Sequence, residues 1–201
     1  MEDQLSLPSL RLSVTHDALP LFTTVLQSGI EIKTSRGETL AKFLNRFPGF
    51  TAEYLADTVQ TIFLNGTAVD DLSLQMTGNN PVLALSAAMP GLAGAIFRKN
   101  SFHSALRTET KSLEPKAGQN DYIVVTLKLF NSIATERGVD ILKTGFCMRG
   151  DLLANFLSKR PHLVQQILDI QLEEKKLNPE ELLGLLPDLA KVNLNIVRID
   201  G

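Results

Sequence analysis

The chain has 201 residues, 44% apolar and 21% charged, which is ordinary globular usage and excludes pervasive disorder. A formal charge of −2 and a pI of about 5.9 give no overall pull toward nucleic acid or an anionic membrane. The single cysteine, Cys147, excludes an internal disulfide and a cysteine-based zinc site.

No run approaches the roughly 18 apolar residues that a membrane span needs. Met1-Glu2-Asp3-Gln4 is acidic and no apolar h-region succeeds it, so no secretory signal is read and a cytoplasmic location is expected.

Residues 1 to 9 read as a loose lead-in. Leu10, Leu12 and Val14 alternate with Arg11, Ser13 and Thr15, the period of a strand. Asp17 and Pro20 interrupt it, Leu21 to Leu26 reads as extended, and Ile30 to Lys33 comes after Gly29 as another strand. Leu40, Phe43, Leu44 and Phe47 form one apolar stripe, which predicts a helix over 39–47. Ser35 and Glu38 have capping-box spacing, and Pro48-Gly49 ends the helix. Thr51 to Thr58 adds a further turn or two.

The clearest signals lie between Val59 and Ser86. Val59 to Leu64 alternates as a strand, and Asn65-Gly66 suits the two positive-φ positions of a type I′ hairpin. Thr67 to Val69 begins the return strand, and Leu72 to Thr77 reads as a short extended piece. Gly78-Asn79-Asn80-Pro81 is a turn, and Val82 to Ser86 is an apolar, buried strand. Gly91 to Gly94 reads as a glycine loop. Residues 110 to 121, rich in Ser, Lys, Pro, Gly and Asn, read as a surface connection between two modules.

In the second half Ile123 to Phe130 is a strong strand, and Gly138 and Gly145 punctuate the residues after it. Phe146 to Met148 reads as a strand, Asp151 to Lys159 as a helix, and His162 to Lys175 as a second helical run. Asn178-Pro179-Glu180-Glu181 has an N-cap, Pro at N1 and acids in the first turn, so another helix starts there. Val192, Leu194 and Ile196 mark a final strand.

Two segments look alike. Arg36-Gly37-Glu38-Thr39-Leu40-Ala41-Lys42-Phe43-Leu44 matches Arg149-Gly150-Asp151-Leu152-Leu153-Ala154-Asn155-Phe156-Leu157 at a constant offset of 113, and 7 of the 15 positions from 36 to 50 are identical. Duplication explains this. So does convergence, because Leu and Phe at i, i+3 and i+4 recur in amphipathic helices. Arg160 stands where Phe47 closes the first stripe, and the second half lacks an Asn-Gly hairpin.

Candidate chemistry is sparse. His16, His103 and His162 have no metal-ligand spacing, so no metal and no cofactor are expected. No Gly-x-Ser-x-Gly elbow supports a serine nucleophile, and no catalytic residue is assigned. Cys147 lies in an apolar run and reads as buried and inert, with Arg149 the only nearby support for a reactive thiolate. Gly91-Leu92-Ala93-Gly94 followed by Arg98-Lys99 could hold a phosphate on exposed N–H groups, but the Gly-Lys-Ser/Thr ending of a P-loop is absent.

The order from Leu64-Asn65-Gly66 through the Gly78-Asn79 turn, the strand Val82 to Ser86 and the tail Pro90-Gly91 resembles a ubiquitin-like β-grasp domain. Among such domains it is most similar to the sulfur carriers of molybdopterin and thiazole synthesis, over residues 10 to 95. The resemblance implies an α+β chain with a β-grasp domain over 1–110. A smaller α+β module, a degenerate repeat of the first on the duplication reading, would occupy 121–201. Carriers end in a free Gly-Gly carboxylate. Here Leu92-Ala93 separates Gly91 from Gly94, and 107 residues lie beyond. Carrier chemistry therefore requires cleavage after Gly91 or Gly94, or use of Gly201.

The expected function is a non-catalytic protein-interaction module that works beside a sulfur-transfer or cofactor-assembly enzyme. Its contact surface would comprise Met89, Gly91, Leu92, Gly94, Phe97, Arg98 and Lys99. Two alternatives remain open: a sulfur carrier activated by proteolysis, and weak RNA binding through residues 91–116.

Overall fold

A computed structural model describes residues 7–87, 91–99 and 121–199. In chain order the elements are β1 (Ser9–Val14), α1 (Leu19–Phe22), β2 (Ile30–Ser35), α2 (Leu40–Leu44), α3 (Ala52–Asp57), β3 (Thr61–Leu64), β4 (Thr67–Ala68), β5 (Val82–Ser86), α4 (Gly91–Phe97) and β6 (Tyr122–Leu129). Then come α5 (Asn131–Thr144), β7 (Phe146–Met148), α6 (Gly150–Ser158), α7 (Pro161–Val164), β8 (Ile167–Leu172), β9 (Lys175–Lys176), α8 (Pro179–Leu185) and β10 (Val192–Arg198). The protein is α+β.

The chain forms two compact units, named here for their place in the sequence. The terminal unit comprises Met1–Ile30 with Gly138–Gly201, and the central unit comprises Glu31–Arg137. The expected linear division at residues 110 and 121 is not observed. The first strand of the chain pairs with the last, so both chain ends belong to one unit. The connection expected over 110–121 lies, but for Asp121, outside the described residues.

In the terminal unit the strands are ordered β7-β10-β1-β8-β9. β1 runs parallel to β10, with Leu10 opposite Leu194 and Leu12 opposite Ile196, and antiparallel to β8, with Leu12 opposite Ile170. All five of these side chains are buried. Both edges of β1 are taken, one by β10 and the other by β8, so β1 makes no pair with the strand after Gly29.

The extended reading of Leu21 to Leu26 is also corrected. Leu19–Phe22 is helical and Thr23–Gln27 a 3-10 turn. Pro20 sits in the first helical turn, where its missing donor costs nothing, and the Thr23 hydroxyl donates to the Pro20 carbonyl at 2.6 Å. Phe22 and Leu26 turn inward, and the Phe22 ring lies 6.4 Å from that of Phe156 on α6.

The helical run read over His162 to Lys175 stops at Val164. Ile167–Leu172 is a strand because β1 offers it an open edge, and tertiary pairing overrides a mixed local pattern. β8 and β9 then form a hairpin over Glu173-Glu174, with Leu172 opposite Lys175 and Glu173 at φ +53°. The expectation at the next helix holds: the Asn178 side chain accepts from Glu181 N, and the Glu181 carboxylate accepts from Asn178 N, each at 2.9 Å.

In the central unit the strands are ordered β2-β6-β5-β3-β4. β5 and β6 are parallel, with Leu83 opposite Leu127 and Leu85 opposite Leu129. β3 is antiparallel to β5 and to β4. Asn65 at φ +52° and Gly66 at φ +81° make the two-residue turn that their tolerance of positive φ predicts.

Leu40, Phe43 and Leu44 of α2 are fully buried, and an edge-to-face series runs Phe43, Phe47, Phe50, Tyr54 at 5.5 to 6.0 Å. The N-cap of α2 is Thr39, whose hydroxyl accepts from Lys42 N at 3.3 Å, and not Ser35, which ends β2. Glu38 is engaged elsewhere, accepting from the Thr34 hydroxyl and from Arg46 Nη1.

Residues 131–144, read from sequence only as punctuated by glycines, form the 14-residue α5. A Cβ on Gly138 would lie 2.8 Å from Thr23 Cβ and 2.9 Å from Leu26 Cδ1, so the glycine permits close approach to the 3-10 turn.

Candidate interaction surface

Gly91 to Phe97 is a helix, and this corrects the glycine loop read from sequence. Gly91 at φ +69° is its first residue. Beyond it, Leu92, Ala93, Ala95 and Ile96 are acceptable or good helix formers, and packing at the far end supplies what the second glycine forfeits. The Phe97 ring lies 5.2 Å from the Phe63 ring on β3, tilted by 60°. The Gly94 carbonyl accepts from Arg98 N at 3.1 Å, and the Gln60 carbonyl accepts from Lys99 N at 2.7 Å. The helix is thereby tied to the strand it faces.

The expected contact residues separate into distinct roles. Leu92 is 74% exposed, the most exposed large apolar side chain among the described residues. Gly91 and Ala95 are exposed beside it, at helical spacings that place all three on one face. Gly94 is buried and Phe97 is half-buried against Phe63. Arg98 Nε donates to Gln60 Oε1 at 2.9 Å. Met89 lies outside the described residues.

Lys99 is a structural cation. Its ammonium donates to the carbonyls of Leu55 and Ala56, in the last turn of α3, where the helix leaves acceptors without intrahelical partners. Burial pulls its pKa below the ordinary lysine value, and the carboxylates of Asp70 and Asp57 oppose that shift. Arg98 and Lys99 thus spend hydrogen bonds on the fold. Cleavage after Gly91 or Gly94, as carrier chemistry requires, would fall inside α4.

Elsewhere, Cys147 is half-buried on β7, between the buried Phe146 and Met148, and makes no disulfide. Arg149 pairs with Asp151, whose carboxyl is held below its usual range chiefly by that hydrogen bond. His16 lies exposed beside Asp17 at 3.2 Å, and His103 falls outside the described residues. Among the described residues no group of three or more His, Cys, Asp or Glu could hold a metal ion. Nor, among them, is any helix long and apolar enough to cross a membrane.

A polar cluster that sequence reading missed surrounds Tyr54. Its hydroxyl donates to Glu136 Oε2 at 2.8 Å, and the Arg137 guanidinium carbon lies 4.0 Å from its ring centroid. Burial, then the Glu136 carboxylate, pushes the phenol up to about 12. The 82-residue separation of Tyr54 and Glu136 left no local signal.

Comparison of the chain with protein-family models, with curated proteins and with solved structures finds no match.

Proposed function

We propose that the protein is a non-catalytic cytoplasmic interaction module of β-grasp type, built twice, that meets a protein partner through the Leu92 face of α4. The exposure of Leu92 carries this reading. A large apolar side chain stands 74% exposed on a helix whose other face is fixed by Phe97 on Phe63. Its neighbours on that face, Gly91 and Ala95, are small and uncharged, so a partner could bury the leucine without desolvating a charge.

The β-grasp reading is supported by strand order. Each unit has two parallel strands inside a five-strand order, β5 and β6 in one and β1 and β10 in the other. Each has a strand–helix–strand passage, β2-α2-α3-β3 or β7-α6-α7-β8, and each places a two-residue hairpin at one edge, β3-β4 or β8-β9.

Duplication is supported by the matched positions. Leu40, Phe43 and Leu44 are buried, as are Leu153, Phe156 and Leu157. Phe47 packs edge-on to Phe43, and Arg160, at the matching position, lays its guanidinium 4.3 Å from the Phe156 ring centroid. A cytoplasmic location agrees with a lone half-buried thiol. The sulfur-carrier resemblance points to a sulfur-transfer or cofactor-assembly enzyme as the partner class.

The test is a photo-crosslinking amino acid at position 92 in the full chain, expressed in native cells. One discrete adduct is expected, absent when the crosslinker replaces exposed Leu168. Leu92→Asp should melt within about 2 °C of the parent, since exposed surface changes are worth about ±0.5 kcal/mol, yet lose the partner in pull-down. Adducts of equal yield from both positions, no adduct at all, or a partner retained by Leu92→Asp would overturn the assignment.

A further inference from the structure

β5 and β6 run parallel, so their carboxyl ends lie together at one end of the central unit's sheet. Ser86 is the last residue of β5 there, and Phe130 and Asn131 carry the chain from β6 into α5. Open α/β sheets hold their ligands at that end of parallel strands. A cavity of about 580 Å³ extends from it along β5, within the range of small-molecule sites.

Val82, Ala84 and Ser86 alternate onto one face of β5, and Phe63, opposite Ala84, shares that face. These four line the cavity together with Phe130 and Asn131, and none of its described lining residues is charged. Among their side chains only Ser86 and Asn131 are polar, and both stand at the carboxyl end. Asn131, at φ +54°, donates from Nδ2 to Ser86 Oγ at 2.8 Å. A hydroxyl that accepts in this way still has one proton to give. The Ser86 proton has no acceptor among the described residues. Ser86 is 7% exposed, so bulk water reaches it poorly and a hydrogen-bond acceptor inside the cavity is what the group lacks.

We infer that this cavity binds a neutral apolar molecule carrying one carbonyl group, with its apolar body against Phe63, Val82 and Phe130 and its carbonyl oxygen accepting from Ser86 Oγ. The phenyl walls favour an apolar body. The uncharged lining leaves nothing to offset an ionised ligand's desolvation. The carbonyl supplies an acceptor and brings no further donor into the cavity.

The test uses the full chain and prodan, a neutral naphthyl ketone whose emission moves to the red when its carbonyl accepts a hydrogen bond. One-to-one binding is expected. Ser86→Ala keeps the cavity wall and removes the donor, so the bound emission should move to the blue. In competition for the prodan site, Ser86→Ala should weaken 2-acetylnaphthalene about tenfold, the cost of leaving a buried acceptor unmet. It should leave 2-ethylnaphthalene binding no weaker. The anionic 2-naphthoate should compete less well than 2-acetylnaphthalene against the parent.

Ala84→Trp should fill the cavity and abolish binding. Val82→Trp, at a 36% exposed position, serves the same purpose should the first variant fail to fold. Binding unchanged in a folded cavity-filling variant would overturn the inference. So would no binding by the parent chain, 2-naphthoate competing better than the ketone, or ketone affinity and bound emission that Ser86→Ala leaves unmoved.

Discussion

Gly37 and Gly150 occupy matching positions in the two Arg-Gly segments, yet each is glycine for a different physical reason. Gly37 sits at φ +78° with open space around it, and a Cβ there would meet only Gln75 Oε1, at 3.7 Å. Gly150 opens α6 at ordinary φ, but a Cβ would lie 2.2 Å from the Leu186 carbonyl oxygen and 2.3 Å from that of Leu189. Those are backbone atoms and cannot rotate away.

For Gly150→Ala, overpacking at the upper end, about 3 kcal/mol, less about 1 kcal/mol regained in helix propensity, leaves a loss of about 2 kcal/mol. For Gly37→Ala, left-handed strain of about 1–2 kcal/mol is partly offset by lower unfolded-state entropy, leaving about 1 kcal/mol. In a chain of this size these convert to melting-point drops of about 4–8 °C and about 2–4 °C.

Asparagine separates the two causes. It tolerates the left-handed region, so Gly37→Asn should fall within about 0.5 kcal/mol of the parent. Gly150→Asn should melt at or below Gly150→Ala. Thermal melts monitored by circular dichroism read all four variants. If Gly150→Ala melts no lower than Gly37→Ala, or if the two asparagine variants melt alike, the steric and conformational assignments are wrong.

Two further predictions concern titratable groups of the central unit. Tyr54→Phe should cost about 1 kcal/mol, the net worth of its hydrogen bond to an exposed Glu136. The chain has no tryptophan and two tyrosines, so phenolate absorbance at 295 nm should show a step near pH 12 that this variant lacks. Because the folded phenol titrates above its ordinary value of 10.0, its contribution to stability is complete below pH 10 and fades as pH rises toward 12.

Lys99 runs the other way. Its folded pKa lies below 10.5, so the unfolded chain holds more protons in the alkaline window that ends there, and stability rises with pH across it. Denaturation of the parent and Lys99→Met at several alkaline pH values should show the difference moving in the parent's favour. A flat or falling difference would contradict the buried setting of the ammonium.

The legible part of the sequence was local. Asn65-Gly66, the Asn178-Pro179-Glu181 cap and the alternation of Val125, Leu127 and Leu129 each announce a structure through their own chemistry, and each forms it. The illegible part depends on distant partners. Leu10 pairs with Leu194, and that pairing decides both the role of β1 and the division into units. Residues 167–172 carry isoleucines and leucines at spacings that suit a helix or a strand, and only the edge of β1 selects the strand.

Glycine misled twice in the same sense. Gly138 lies inside the buried stripe of α5, between Ile133-Ala134 and Ile141-Leu142, and reads as punctuation only because its reason is close contact with Thr23. Gly94 is buried within α4, where the contact of Phe97 with Phe63 holds the helix. The same contact sorts the surface read from sequence: it holds Phe97 half-buried against β3, Lys99 turns inward after it onto α3, and Leu92 is left outside. An apolar residue's spacing gives the face it shares with its neighbours. Whether that face looks toward a strand or away from it is set by an aromatic partner 34 residues upstream of Phe97, Phe63, which no window around Leu92 contains.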